Sequence, residues 1–153
     1  MAANRSILAV LAACIATGGA ATPAGADLLS AKGPVFAIVA GELFVGEAEG
    51  HLDGAGTLAI HSQKTPVLTC TGKFTSSAEA GGKGQMRCSN GSTATFAFKR
   101  LTLRSGYGTG KLNRGTMSFT YGLAAEEAQR YLKPPKDKRL RRDGNELALF
   151  PST

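Results

Sequence analysis

Residues 70–98 read CTGKFTSSAEAGGKGQMRCSNGSTATFAF. Setting Cys70 opposite Cys88 in an antiparallel pair places Gly72 opposite Met86 and Phe74 opposite Gly84, with the connecting loop centred on Glu79 beside Gly81-Gly82. The next turn allows two registers. A two-residue Asn90-Gly91 turn would send Phe96 and Phe98 to the face opposite Met86. A three-residue loop, Ser89-Asn90-Gly91 with Gly91 left-handed, pairs Cys88 with Ser92 and Met86 with Ala94. That register gathers Phe74, Met86, Ala94, Phe96 and the cystine on one side, and a register that collects the apolar set on one face is preferred over one that splits it. The stretch therefore predicts three antiparallel strands joined by short turns and clipped by a Cys70–Cys88 disulfide. Closing so short a loop stabilises by about 3 kcal/mol. No Cys-x-x-Cys spacing supports a redox role, and with His51 and His61 the only histidines no zinc site is expected.

The same pattern extends in both directions. Pro34 to Ala40 (PVFAIVA) is continuously apolar and reads as a strand buried on both faces. Gly41-Glu42 breaks it and Leu43-Phe44-Val45 resumes. Asp53-Gly54-Ala55-Gly56 is a turn signal, after which Leu58 and Ile60 share one face and His61 points away from it. Strands are expected over 65–74, 84–89, 92–99, 101–104 and 116–121, with the glycine-rich run Ser105 to Gly110 as a connection. After Leu123, residues 124–133 read as a helix ended by Pro134-Pro135, and 138–150 as a hairpin pairing Leu140 with Leu147 and Arg141 with Glu146. The expected architecture is mainly β: an antiparallel meander of short hairpins, as a rolled sheet, barrel or sandwich, with one C-terminal helix and a terminal hairpin.

Phe44-x-Gly46-Glu47 followed by Gly54-x-Gly56-x-Leu58 resembles a membrane occupation and recognition nexus (MORN) repeat. Cys70 to Phe74 with Gly82-x-Gly84 resembles a second copy, and Gly106-Tyr107-Gly108 a third. The resemblance implies an extended run of hairpins with an interaction or scaffold role rather than catalysis.

At 153 residues, with 42% hydrophobic and 19% charged, the chain is one folded domain rather than a disordered one. Residues 1–26 read as a secretory signal peptide: Arg5, an apolar core over Ser6–Cys14, then small residues ending Ala24-Gly25-Ala26. The domain is then 27–153, with no transmembrane span expected. Alternatively, Leu11-Ala12-Ala13-Cys14 reads as a lipobox that makes Cys14 a lipidated N-terminus. Two cysteines remain after the leader is removed, which suits a disulfide in the periplasm or outside the cell.

Gly106 to Lys111 (GYGTGK) misses the phosphate-loop spacing, because Ser105 and Leu112 stand where Gly and Ser/Thr are needed. No cofactor motif and no enzyme signature is present. Glu47, Glu49 and Asp53 are the residues a small envelope hydrolase would use, as the alternative function. Charge points elsewhere. Residues 27–63 are net acidic, whereas 64–123 carry nine Lys+Arg against Glu79 alone. Lys99, Arg100, Arg104, Lys111 and Arg114, with Lys138, Arg139, Arg141 and Arg142, are the candidate anion-binding residues. The expected function is an exported, non-enzymatic binding or envelope-associated protein presenting a basic face to an anionic partner: a lipid headgroup, lipopolysaccharide, anionic glycan or acidic protein. Given the leader, nucleic acid is not the expected partner.

Expressed from its own full-length gene, the product should begin at Asp27 and weigh two hydrogens less before reduction than after, by intact mass. A lipid on Cys14 would replace export by tethering, and an uncleaved, fully reduced chain would overturn both.

Overall fold

Residues that alternate along each strand are divided between an interior and an outer surface, and eight such strands in sequence are enough to close a barrel. The computed structural model describes residues 30–153 except Ala78; the leader over 1–26, and with it Cys14, lies outside the described residues. The strands are β1 (Ser30–Val39), β2 (Glu42–His51), β3 (Ala55–Ser62), β4 (Thr69–Ser77), β5 (Gly81–Cys88), β6 (Thr93–Thr102), β7 (Ser105–Leu112) and β8 (Thr116–Tyr121). Each pairs antiparallel with the next, and β8 returns to β1 from Val35 opposite Tyr121 to Val39 opposite Met117. A short helix α1 (Ala125–Ala128) and a separate hairpin, β9 (Lys138–Asp143) and β10 (Glu146–Pro151), complete the chain.

The registers expected for residues 70–98 are those found. Cys70 faces Cys88 and is bonded to it, Gly72 faces Met86, Phe74 faces Gly84, and Met86 faces Ala94. Gly91 is left-handed at φ 87° within the three-residue loop, where Cys88 N–H donates to the Ser92 carbonyl at 2.8 Å.

The interior is organised by glycine opposite aromatic. Phe74 lies between Gly56 and Gly84, Phe96 between Gly84 and Gly110, and Phe98 between Gly82 and Gly108. Phe119 faces Gly108 and Tyr121 faces Gly106. Each ring lies over a neighbouring glycine: a methyl on Gly108 would sit 2.7 Å from Phe119 Cζ, and one on Gly56, Gly82 or Gly84 would collide with the ring of Phe74, Phe98 or Phe96. The rings then meet edge to face, Phe96–Phe119 at 5.3 Å and Phe98–Tyr121 at 5.4 Å between centroids, the arrangement their quadrupoles favour.

This corrects the reading of Ser105 to Gly110 as a connection. It is most of β7, with Gly106 and Gly108 buried. Glycine usually weakens a strand because it has no side chain to pack; here the rings of the next strand occupy the space. The strand expected over 101–104 is the end of β6 and the turn to β7, and the one expected from Thr65 begins at Thr69. Residues before Thr69 form a turn held by Ser62 Oγ, which accepts from Thr65 N–H at 3.0 Å.

The apolar run in β1 is buried on both faces for two reasons. Val35, Ala37 and Val39 fill the barrel, while Phe36 and Ile38 point outward beside Val45 and Leu43 of β2. Leu123, Ala125, Ala128, Leu132 and Leu147 cover that outer patch. The expected helix over 124–133 shortens to four residues. From Arg130 the amides donate three residues back, Arg130 to Glu127 and Tyr131 to Ala128, and this tighter turn stacks Tyr131 on Tyr107 at 4.5 Å.

The hairpin pairs Leu140 with Leu149 and Arg142 with Leu147, two residues away from the expected register, because its turn is Gly144-Asn145 rather than Asp143-Gly144. Gly144 takes φ 63° at the first turn position, the place a type II′ turn reserves for glycine. A slip of two leaves each side chain on its expected face.

Gly84→Ala should cost about 1–3 kcal/mol by overpacking, whereas Gly50→Ala, whose new methyl would lie 3.9 Å from Phe74 Cζ, should cost far less; urea unfolding midpoints compare them. Replacing Cys70 and Cys88 together by Ser should cost about 3 kcal/mol in the same measurement.

Candidate functional site

The barrel is filled at one end and open inside at the other. The cystine, Ile60, Met86, Ala94 and Met117 pack the end bounded by the β1–β2, β3–β4, β5–β6 and β7–β8 turns. Toward the opposite end, beneath the β2–β3 and β6–β7 turns, lies a cavity of about 590 Å³, within the roughly 300–1,000 Å³ usual for small-molecule sites. Its walls include Val35, Leu58, Phe74, Phe96, Phe98 and Phe119, all apolar, and its polar groups come from Arg100, Ser76, Tyr121 and the rim.

Arg100 continues the inward parity of Ala94, Phe96 and Phe98 along β6. The barrel can accept so large a side chain there because the neighbouring position on β7 is Gly106. Arg100 Nη2 donates to Ser76 Oγ at 2.8 Å, and Ser76 Oγ donates to the Gly54 carbonyl at 3.2 Å. Arg100 Nη1 donates to the Leu103 carbonyl at 3.2 Å. The guanidinium thus ties the β2–β3 turn, the end of β4 and the β6–β7 turn together. Its Nε is shut off from solvent and has no hydrogen-bond partner among the described residues. Among the described residues no carboxylate lies within salt-bridge distance of it, the ion pairs found being Lys32–Glu49 at 3.9 Å and Arg142–Glu126 at 2.9 Å. The pairing of β6 with β7 shifts register between Arg100 and Thr102, so Leu101 forms a bulge; bulges at barrel rims re-aim neighbouring side chains.

Tyr121 shares this end of the cavity. Burial pushes its phenol above the ordinary value of 10.0, and the positive charge of Arg100 acts in the opposite direction.

The basic residues singled out in the sequence separate into five places. Arg100 is inside, and Arg104 is exposed on the turn above it. Lys99 and Lys111 point outward from β6 and β7, on a polar outer face that also carries Lys73, Lys83 and Arg87. That outer face is the reverse of the apolar band of a membrane-spanning barrel, and no described helix is long and apolar enough to cross a membrane. Arg114 is on the β7–β8 turn at the filled end, and Lys138, Arg139, Arg141 and Arg142 are on β9. The hairpin cations are partly engaged: Arg142 bonds Glu126, and Arg141 lies 5.8 Å from the Phe150 ring centre.

Glu47 and Glu49 lie on the outward parity of β2, and Asp53 Oδ1 accepts from Ala55 N–H at 2.9 Å as a turn cap.

Sequence reasoning placed Arg100 among surface cations and missed Ser76 and Tyr121. Strand parity from Phe96 and Phe98 would have turned Arg100 inward. No family model, curated protein or solved structure matches this chain.

Replacing Arg100 by Met should raise the midpoint of Tyr121 ionisation further, because it removes the favourable charge and leaves the burial; tyrosinate absorbance against pH reads this. Because burial raises the Tyr121 pKa in the folded state, its contribution to stability is fully present below pH 10.0 and declines as pH rises through the folded-state value.

Proposed function

We propose that this is an exported, non-enzymatic binding protein that receives an anionic partner at the open end of its barrel. The observation that carries the reading is the Arg100 guanidinium, which lines an apolar cavity and has no carboxylate within salt-bridge distance among the described residues. A half-buried charge with no counter-charge among the described residues is less well solvated than a free one, so an anion entering the cavity gains more there than at an exposed lysine. The Cys70–Cys88 disulfide fits an oxidising compartment, and periplasm or secretion is the corresponding location. Among the partners the charge pattern allows, the cavity favours an anion small enough to enter over an extended acidic surface. The outward cations, Arg104 first, then serve to draw it in.

Titration with anilinonaphthalene sulfonate, followed by its fluorescence, tests this. Arg100→Met should weaken binding by roughly tenfold or more, the worth of a charge-assisted hydrogen bond, while Ala at Arg139, Arg141 and Arg142 together should leave it unchanged. The opposite pattern would move the site to the hairpin and sink the cavity reading.

A further inference from the structure

We infer that the cavity takes a single-chain amphiphile with a carboxylate head, its aliphatic tail among the aromatic rings and its head on Arg100. The inference rests on the reading of Arg100 as the anion-facing group and names the ligand class.

Polarity within the cavity is arranged along one direction. Leu58, Phe96 and Phe119 line its walls without contributing a polar side-chain group, and Phe74 and Phe98 continue that apolar surface toward the mouth. The charged group, Arg100, stands near the rim, next to the β6–β7 turn whose Leu103 carbonyl it binds. A short polar anion would satisfy Arg100 and leave the apolar chamber unfilled. A neutral hydrocarbon would fill the chamber and leave the guanidinium unpaired. A molecule with one anionic head and an unbranched apolar tail matches both.

The charge count favours a carboxylate. Arg100 continues inward from β6 as one guanidinium, with the other ionisable side chains outside the barrel wall, Lys32, His51, Asp53 and Arg104, exposed at the rim. Arg100 Nη1 and Nη2 each keep one N–H beyond those given to the Leu103 carbonyl and Ser76 Oγ, and a planar guanidinium matches the two oxygens of a carboxylate.

The entrance has the complementary character. Leu52 on the β2–β3 turn and Leu103 on the β6–β7 turn both border the cavity and are each 81% exposed. Single exposed leucines need no explanation, but two on turns that border the same opening give a tail an apolar threshold to cross on its way in.

Calorimetric titration of the full mature chain with decanoate, decanol and acetate tests the assignment. Decanoate should bind one per chain, decanol roughly tenfold or more weaker, and acetate not measurably. Arg100→Met should bring decanoate down to the level of decanol without changing decanol. Arg100→Lys should retain part of the difference. Ala48→Phe, which places a ring in the chamber, should remove both long-chain ligands while leaving the unfolding midpoint near that of the unaltered chain.

Acetate binding as tightly as decanoate, with both lost in Arg100→Met, would overturn the amphiphile and leave the anion site standing. Decanoate binding unchanged by Arg100→Met would overturn both. Absence of decanoate binding while the sulfonate probe still depends on Arg100 would overturn the amphiphile alone. If Arg100→Met does not fold, the three ligands on the unaltered chain and Ala48→Phe decide the matter.

Discussion

The barrel depends on one repeated steric arrangement, an aromatic ring lying over a glycine on the neighbouring strand. Eight strands enclose little more room than their own side chains need. Phenylalanines on several adjacent strands would overfill it if every position between them carried even a methyl. Gly56, Gly82, Gly84, Gly106 and Gly108 remove that methyl where a ring of Phe74, Phe98, Phe96, Tyr121 or Phe119 descends. Register is fixed by the alternation itself, since a one-residue slip would turn every inward ring to the outer face. The cystine acts on the same register at one place, locking Cys70 opposite Cys88.

Such an interior need not be filled evenly. Where Ile60, Met86, Met117 and the cystine meet, flexible or compact side chains complete the packing. Toward the other end, rings lean on glycines and enclose open volume between them. An arginine enters at that end because Gly106 lies opposite, and its bonds to Ser76 and the Leu103 carbonyl hold the surrounding turns. A residue that stabilises the rim thereby also gives the cavity its only inward cation among the described residues. On the outer side, the C-terminal segment exists because β1 is apolar on both faces. Phe36 and Ile38 would face water without Leu132 and Leu147 above them.

Much of this was legible locally. Gly91 and Gly144 are needed for left-handed turns, and with Cys70 set opposite Cys88 the three-residue Ser89–Gly91 loop followed from asking which register keeps Phe74, Met86 and Phe96 together. The GYGTG run was not legible, because local rules read alternating glycines as a turn, and only the rings of β6 and β8 on either side make them strand residues. The helix was overread for a related reason. Its residues favour helix, yet stacking of Tyr131 on Tyr107 competes and tightens the chain after Ala128.

The sequence by itself determined that the chain is an antiparallel series of hairpins with a disulfide between two of them, since alternation, turn glycines and cysteine spacing all act over a few residues. It also determined an excess of positive charge after residue 64. Only the tertiary structure decided that the meander closes, through β8 on β1, and closure is what gives alternate residues an inside. With an inside defined, Arg100 separates from the other cations and Ser76 and Tyr121 become its neighbours. Those contacts join residues more than twenty positions apart, and no local pattern encodes a distance of that kind.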